Sequence, residues 1–306
     1  MASSSGDCAA ASVVDRLRLE PKLSKKQSTA AGGGEAKKNG AGRAIASEMT
    51  ELPDWNENSD LSGVRAVVFD AVGTLIRPEP SVAAIYSEVG RRHGAELTQA
   101  EVRARVPDAF ARHFGSRARR PDAGAPSSET AATSITPQTS SPAITSDELE
   151  RERWRHVVMD VFHEWPQAGG ALFDELWDHF SRGANWRLFD EVEEVWKTLM
   201  RGGRTLAIGS NFDRRLIRLC GELPPLDTCR WIFPSSQVGY PKPELGFFRS
   251  VEQALGLAPH ELLLVGDDFR NDIEGAVAAG WHARWVHRDN ANTTRGWLDL
   301  RPLLAR

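Results

Sequence analysis

Short apolar runs alternate along much of the chain with stretches whose apolar residues recur at helical spacing. Five runs have the length and continuity of buried strands, at 65–70, 205–209, 230–233, 261–267 and 283–287. Helical spacing follows at 191–200, 214–220, 244–255 and 271–279. Parallel strands connected by helices are buried on both sides, so this alternation predicts an α/β fold with a parallel sheet covered by helices on both faces.

The stretch between the first two runs departs from this alternation. Apolar residues recur there at helical spacing over 82–114 and 149–180, as in the series Ile85, Val89 and His93. We therefore expect an α/β core at 61–78 and 187–306, with a smaller all-helical cap domain at 79–186. Four tryptophans in or beside the second helical stretch should pack in its interior, and they are Trp154, Trp165, Trp177 and Trp186.

Two segments have too few large apolar residues to form part of a core. Gly, Ala and Ser supply 23 of the first 50 residues, and Val, Leu, Ile, Phe, Trp and Tyr only six. We expect a disordered tail at 1–60 and a flexible insertion in the cap at 116–146, which is rich in Ser, Thr, Ala and Pro. Met49 could be the natural start, or the tail could be a transit peptide, although its acidic residues weigh against the latter.

Charge and cysteine content narrow the function classes. The chain has 38 Lys+Arg against 42 Asp+Glu, a net charge of −4, which argues against general nucleic-acid binding. No apolar run approaches the ~18 residues that cross a bilayer. The first residues have neither a basic start nor a sustained apolar stretch, so we do not expect a secretory signal. Three cysteines are too few for a disulfide framework, so we expect a cytoplasmic protein with reduced thiols and no membrane or nucleic-acid partner. The oligomeric state stays open.

Four polar segments follow predicted strands or lie between a strand and a helix. They are 70–75 (DAVGTL), Ser210 with Asn211, Lys242 with Pro243, and 266–272 (GDDFRND). Ligands of open parallel sheets bind beyond the carboxyl ends of the strands, so these segments should meet at one edge. Four carboxylates there would repel one another, and a hard cation such as Mg²⁺ would relieve the repulsion and bridge to a phosphate oxygen.

In this order and spacing, the four segments resemble the haloacid dehalogenase-like hydrolase superfamily, in the branch with a helical cap after the first strand. The resemblance implies a Rossmann-like core in which Asp70 is the nucleophile and Lys242 neutralises it. It also implies that Thr74, Ser210 and Asn211 hold the phosphoryl oxygens. The Mg²⁺ ligands would be Asp70, the backbone carbonyl of Val72 and Asp267, supported by Asp268 and Asp272.

One position departs from the phosphatases of that superfamily, which usually carry an acid–base Asp where this chain has Val72. General acid–base catalysis contributes roughly 10²–10⁴ in rate. The leading hypothesis is a Mg²⁺-dependent phosphohydrolase that acts on a small phosphorylated metabolite through an aspartyl-phosphate. A catalytically weak member that binds a phosphorylated ligand or a protein partner is the alternative, and a metal-independent dehalogenase-type hydrolase is the third.

Overall fold

A five-stranded parallel sheet forms the centre of the molecule. The structure is a computed structural model, and it describes residues 62–114, 143–288, 297 and 299–305. In chain order the strands are β1 (Ala66–Phe69), β2 (Ile76–Pro78), β3 (Trp186–Leu188), β4 (Thr205–Ser210), β5 (Trp231–Pro234), β6 (Leu262–Gly266) and β7 (His282–Trp285). The sheet order is β5-β4-β1-β6-β7, while β2 and β3 form a separate antiparallel ribbon.

Strand β1 lies at the middle of the sheet, and every one of its residues is buried. Val68 is level with Ala207 of β4 on one side and with Leu264 of β6 on the other. Successive side chains of a strand point to opposite faces, so Val67 packs into one apolar cluster and Val68 into the other. Burial on both faces explains why the strands read as continuous apolar runs.

Helices cover both faces of the sheet and form a separate unit between β2 and β3. In chain order they are α1 (Val82–Arg92), α2 (Gln99–Phe114), α3 (Asp147–Val161), α4 (Gly169–His179), α5 (Val192–Arg201), α6 (Arg215–Gly221), α7 (Ser235–Val238), α8 (Leu245–Leu255) and α9 (Gly275–Ala278). Helices α5 and α6 pack on one face of the sheet, and α8 and α9 on the other. The predicted Rossmann-like parallel sheet with helices on both faces is confirmed.

The predicted helix at 271–279 differs from the observed one at its start. A π-helical turn runs from Phe269 to Glu274 and leads into α9. Its first residues are held by Asp268, whose side chain accepts a hydrogen bond from the backbone N–H of Asn271 at 2.9 Å. Such widened turns are rare and are frequently found at functional sites. Here the turn carries Asp272.

Helices α1 to α4, called here the helical unit, have an apolar core of their own. Trp154, Trp165 and Trp177 pack against this core, and Trp186 packs into the core beneath the sheet. The predicted tail at 1–60 and residues 116–142 of the predicted insertion lie outside the described residues. Thr145, near the end of that predicted insertion, is buried, and its N–H donates to the carbonyl of Gly239 at 3.0 Å.

The chain returns to the sheet after β7. The backbone N–H of Trp297 donates to Trp285 O at 2.8 Å, and its carbonyl accepts from His287 N at 2.6 Å. Leu300 and Leu303 then enter the same apolar cluster as α5. Within the described part of the chain, no helix is long and apolar enough to cross a membrane.

Candidate active site

Asp70 stands at the carboxyl end of the central strand. Its backbone N–H donates to Val265 O at 2.9 Å, which continues the pairing of β1 with β6. The chain then turns sharply, since the N–H groups of Leu75 and Ile76 both return to the carbonyl of Ala71. Asp70 is only 8% exposed, so this turn fixes its carboxylate at the edge of the sheet.

Gly73 makes this turn possible. Its φ is +91°, and a Cβ there would lie 2.3 Å from the carboxylate oxygen Oδ2 of Asp267. Both the left-handed backbone and the close approach require glycine. The turn after β1 is therefore packed directly against the acidic segment after β6.

Lys242 joins three parts of the site. Its Nζ donates to Asp70 Oδ1 at 2.9 Å, to Asp272 Oδ1 at 2.5 Å and to the carbonyl of Gly209 at 2.8 Å. Burial alone would lower the pKa of Lys242, but the two carboxylates outweigh burial and raise it. The ammonium therefore stays charged and fully hydrogen-bonded beside Asp70.

Asn211 holds the backbone on which Lys242 stands. Its Nδ2 donates to Lys242 O at 2.8 Å, and its Oδ1 accepts from Lys242 N at 2.7 Å. Ser210 precedes it as the buried last residue of β4. The family resemblance implied that Ser210 and Asn211 hold phosphoryl oxygens. Both residues lie at the same edge of the sheet as Asp70, and the side-chain amide of Asn211 is hydrogen-bonded to the backbone of Lys242.

Three carboxylates converge at the same edge. One oxygen from each of Asp70, Asp267 and Asp272 lies within 4.8 Å of the others. Burial raises the pKa of Asp272 to about 7, and the neighbouring Lys242 opposes this rise only in part. The ionisation of these carboxyl groups is costly without further positive charge. Converging carboxylate oxygens are also the ligands that Mg²⁺ prefers. The residues present therefore fit a hard divalent cation.

The remaining predicted site residues differ in how they meet this group. Thr74 is fully buried, and its hydroxyl approaches Asp267 Oδ1 at 3.5 Å. Asp268 uses its carboxylate to cap the π-helical turn, and its N–H donates to Asp272 Oδ2 at 3.0 Å. Val72 is half-buried, with its side chain against the apolar cluster under the sheet.

Other residues at this edge were not singled out from the sequence. The indole N–H of Trp285, the last residue of β7, donates to the carbonyl of Asp267 at 3.0 Å. Arg288 follows three residues later and contacts the turn after β1, and it is paired with Glu191 at 2.7 Å. The available signal was their position, because Arg288 follows the carboxyl end of a strand as the predicted site residues do.

Where the helical unit meets the core, two carboxylates each have an arginine partner. Asp213 forms two hydrogen bonds with the guanidinium of Arg215, at 2.7 and 2.8 Å, and that guanidinium lies 3.3 Å from the ring centroid of Trp177 in α4. Asp147, the first residue of α3, accepts from Arg214 Nε at 2.5 Å. We call these two ion pairs the paired cluster, and Asp70, Asp272 and Lys242 the shared cluster.

Comparison with known proteins is informative at the level of the family. The sequence matches the haloacid dehalogenase-like hydrolase family over residues 64–280. It is 26% identical over 224 residues to haloacid dehalogenase-like hydrolase domain-containing protein 3 from Homo sapiens, spanning 72% of this chain and 80% of that protein. It is 29% identical over 234 residues to phosphoserine phosphatase from Thermus thermophilus, spanning 74% of this chain and 89% of that protein.

A solved structure with a similar fold is that of the defluorinating L-2-haloacid dehalogenase Rha0230. The two superpose with a TM-score of 0.52 at 20% sequence identity, over 77% of this chain and 90% of the other. At this identity the likeness concerns the fold alone. Because one fold can host different reactions, the chemistry of this chain depends on the residues of its site.

Proposed function

The chain belongs to the haloacid dehalogenase-like hydrolases, and on that premise we propose that it is a Mg²⁺-dependent phosphohydrolase. Its substrate would be a small phosphorylated metabolite, whose phosphoryl group Asp70 takes up as an aspartyl-phosphate. The relative from Thermus thermophilus is a phosphoserine phosphatase, which supports phosphoryl chemistry.

The observation that carries the proposal is a buried ammonium, that of Lys242, which links the proposed nucleophile to the other carboxylates of the site. Lys242 Nζ contacts both Asp70 and Asp272, and Asp267 joins them within 4.8 Å. The ammonium places a positive charge 2.9 Å from the carboxylate that would attack phosphorus. An acidic group of this kind suits a cation-assisted attack on phosphorus better than attack on a halogenated carbon, which needs no metal.

The residues divide the work as follows. Asp70, Asp267 and the backbone carbonyl of Val72 would hold Mg²⁺, with Asp272 supporting them. When bound, Mg²⁺ supplies positive charge that neutralises the phosphoryl oxygens. Lys242 and Ser210 face the same oxygens in the proposal, and Asn211 orients Lys242 through its backbone.

The reaction has two displacement steps. An oxygen of Asp70 forms a bond to phosphorus while the bond from phosphorus to the leaving oxygen breaks. Water then attacks the phosphorus of the aspartyl-phosphate, which releases inorganic phosphate and returns the carboxylate. The leaving oxygen needs a proton when it departs as an alkoxide but not when it departs as a carboxylate.

Val72 bears on that proton. The side chain of Val72 has no carboxyl group and cannot donate a proton, and it packs against the apolar cluster. We therefore propose that substrates with good leaving groups, such as acyl phosphates, turn over faster than alkyl phosphates. The same observation favours a second candidate function, in which the chain binds a phosphorylated ligand and turns it over poorly.

We also propose that the helical unit serves as a cap that selects the substrate. The ribbon strand β2 begins six residues after Asp70, so the helical unit is attached directly to the catalytic turn. On the other side, Asp147 contacts Arg214 in the loop that follows Ser210 and Asn211, and Trp177 contacts Arg215, the first residue of α6. A cytoplasmic location agrees with the buried free thiols of Cys220 and Cys229.

Phosphate release from a panel of sugar phosphates, nucleotides and acyl phosphates tests the proposal. Turnover should require Mg²⁺, stop on addition of a chelator, and disappear in Asp70→Asn. Asp174→Asn is a matched control, because Asp174 is an exposed carboxylate of α4 that is paired with Arg151. No turnover of any substrate in the presence of Mg²⁺ would favour the binding function. Halide release from a haloacid that persists with chelator would replace the proposal with dehalogenation.

A further inference from the structure

Arg288 binds the backbone of the catalytic turn, residues 70–75, from outside the site. Its Nε donates to the carbonyl of Gly73 at 3.0 Å, and its terminal NH2 group donates to the carbonyl of Thr74 at 2.5 Å. The two carbonyls belong to consecutive residues of the turn that starts at Asp70. A guanidinium presents its donors in a rigid planar fork, which suits two neighbouring acceptors.

The guanidinium is itself held in place. It lies 3.6 Å from the ring centroid of Phe189, and its side chain is only 12% exposed. Phe189 follows β3 directly, and its N–H donates to the carbonyl of Leu75 at 3.1 Å. The catalytic turn is thus fixed at three successive carbonyls, those of residues 73, 74 and 75.

Glu191 compensates the charge of Arg288. The two side chains meet at 2.7 Å, and the side chain of Glu191 is only 4% exposed. The same carboxylate oxygen of Glu191 accepts from the backbone N–H of Leu300 at 3.3 Å. Arg288 contacts Gly73, and Gly73 packs directly against Asp267, a proposed ligand of Mg²⁺. Without Glu191, the guanidinium would therefore carry an unneutralised positive charge close to that ligand. Positive charge there would oppose cation binding.

We propose that Arg288 and Glu191 form a brace for the catalytic turn. Arg288 holds the turn in position, and the carboxylate of Glu191 neutralises the guanidinium so that its positive charge does not repel Mg²⁺ from the proposed metal site. Arg288 is a positioning residue, since it acts through the backbone of Gly73 and Thr74. The expected effect of Arg288 on turnover rests on the proposed function, whereas its expected effect on how rigidly the turn is held does not. Residues that orient metal ligands from outside in this way are typically worth 10–100-fold in activity or metal affinity.

The first experiment separates positioning from general stabilisation. Arg288→Ala should lower kcat by about tenfold or more while KM changes by less than about threefold, because the turn is misplaced in the transition state. Amide hydrogen exchange at Gly73, Thr74 and Leu75 should accelerate by about tenfold. Arg288→Lys keeps the charge but has no planar fork, so it should recover only part of the loss.

Arg301→Ala is the matched control. Arg301 is an exposed arginine in the same C-terminal region, and it pairs with its near neighbour Asp299. It should change neither kcat nor the exchange of the catalytic turn. Equal melting temperatures for Arg288→Lys and the wild type would show that the fold is intact.

The second experiment tests the charge balance through Mg²⁺ binding measured by calorimetry. Glu191→Gln keeps an acceptor for Leu300 but leaves Arg288 uncompensated, so the dissociation constant of Mg²⁺ should rise by about tenfold. Combining Glu191→Gln with Arg288→Gln removes both charges. The double variant should bind Mg²⁺ more tightly than Glu191→Gln while the catalytic turn still exchanges rapidly.

Clear outcomes would overturn the brace. Unchanged exchange at Gly73 to Leu75 in Arg288→Ala would show that the arginine does not position the turn. Equal Mg²⁺ affinity in Glu191→Gln and the wild type would refute the electrostatic role of Glu191. If the wild type binds no Mg²⁺ at all, the proposed function fails, and hydrogen exchange alone decides whether Arg288 positions the turn.

Discussion

The shared cluster and the paired cluster are both groups of charged side chains with buried or half-buried carboxylates, but they match their charges differently. In the shared cluster, Asp70 and Asp272 compete for the one ammonium of Lys242. In the paired cluster, Asp213 has Arg215, and Asp147 has Arg214. Burying an ion costs free energy unless partners satisfy it, so the two clusters place different demands on the fold.

The pKa values follow this difference. Burial raises the pKa of Asp272 to about 7 in the shared cluster. Burial also acts to raise the pKa of Asp147, but hydrogen bonds from Ser236 and Arg214 outweigh it and lower the pKa. A carboxylate that the fold leaves expensive to ionise is poised for a ligand or a reaction, whereas one that the fold fully satisfies serves to join two parts of the structure.

The largest expected effect comes from Asp70→Asn. The variant removes the proposed nucleophile, so kcat should fall by more than about a thousandfold. Because it also removes one of two negative charges around Lys242, the free energy of unfolding without Mg²⁺ should not decrease. Steady-state kinetics and urea denaturation measure the two effects. A variant that loses stability as well as activity would contradict the distinction between the clusters.

In the paired cluster, a substitution should lower the free energy of unfolding. Asp213→Ala leaves Arg215 buried without its partner, so the free energy of unfolding should fall by about 3 kcal/mol. Asp174→Ala is the control, because the Asp174–Arg151 pair is exposed and should contribute less than about 1 kcal/mol. Urea denaturation of both variants checks the prediction. Similar losses in the two would mean that burial does not distinguish these pairs.

Val72→Asp adds an acid to the shared cluster. If its carboxyl reaches the leaving group, kcat for alkyl phosphates should rise by about tenfold, while acyl phosphates should gain little. Val72→Asn has nearly the same shape but no acidic proton, so it should give no gain. Because Val72 packs against an apolar cluster, melting temperatures must accompany the rates. A well-folded variant without an ester-selective gain would favour the binding function.

The smallest expected effect is that of Asp147→Asn. Asp147 accepts hydrogen bonds from Arg214, Ser236 and Gln237, so the loss of its charge should cost about 1 kcal/mol at pH 7. The pKa of Asp147 is lower in the folded protein than in the unfolded chain. Its stabilisation is therefore present above the ordinary Asp value of about 3.9 and is lost as the pH falls through the lower folded value.

Urea denaturation between pH 7 and pH 3 measures this dependence. The difference between the wild type and Asp147→Asn should be constant near neutrality and shrink as Asp147 takes up its proton. A difference that persists unchanged at pH 3 would assign the effect to shape and not to charge.

The edge of the sheet could be predicted from the sequence because local patterns encode it. A buried strand has to end, and the polar residues that follow it, such as Asp70, Ser210 and Asp267, stand at the same edge in a parallel sheet. The pattern could not separate Asp267 from Asp268, because both follow the strand and its alternation no longer applies. The structure gathers Asp267 with the other carboxylates and uses Asp268 as a cap.

Long-range contacts explain what the sequence could not show. Arg288 meets Gly73 across 215 positions of the chain, and no periodicity links an arginine after β7 with a turn after β1. The contacts of Asp147 with Arg214 and Gln237 likewise depend on how the helical unit docks. The packing of the tryptophans was easier to predict, since their size alone favours burial.

The ribbon of β2 and β3 makes the helical unit an exchangeable module. Pro78 is level with Trp186 across the ribbon, and the N–H of Glu79 donates to Asn185 O at 2.9 Å, so the unit leaves and re-enters the core at neighbouring points. An insertion whose two ends already touch can be lengthened, shortened or replaced without moving the strands that carry the chemistry. The helical unit, which is proposed to select the substrate, can therefore be exchanged at the ribbon without altering the sheet edge that is proposed to transfer the phosphoryl group. Such an exchange has to keep the contacts of the unit with Arg214 and Arg215.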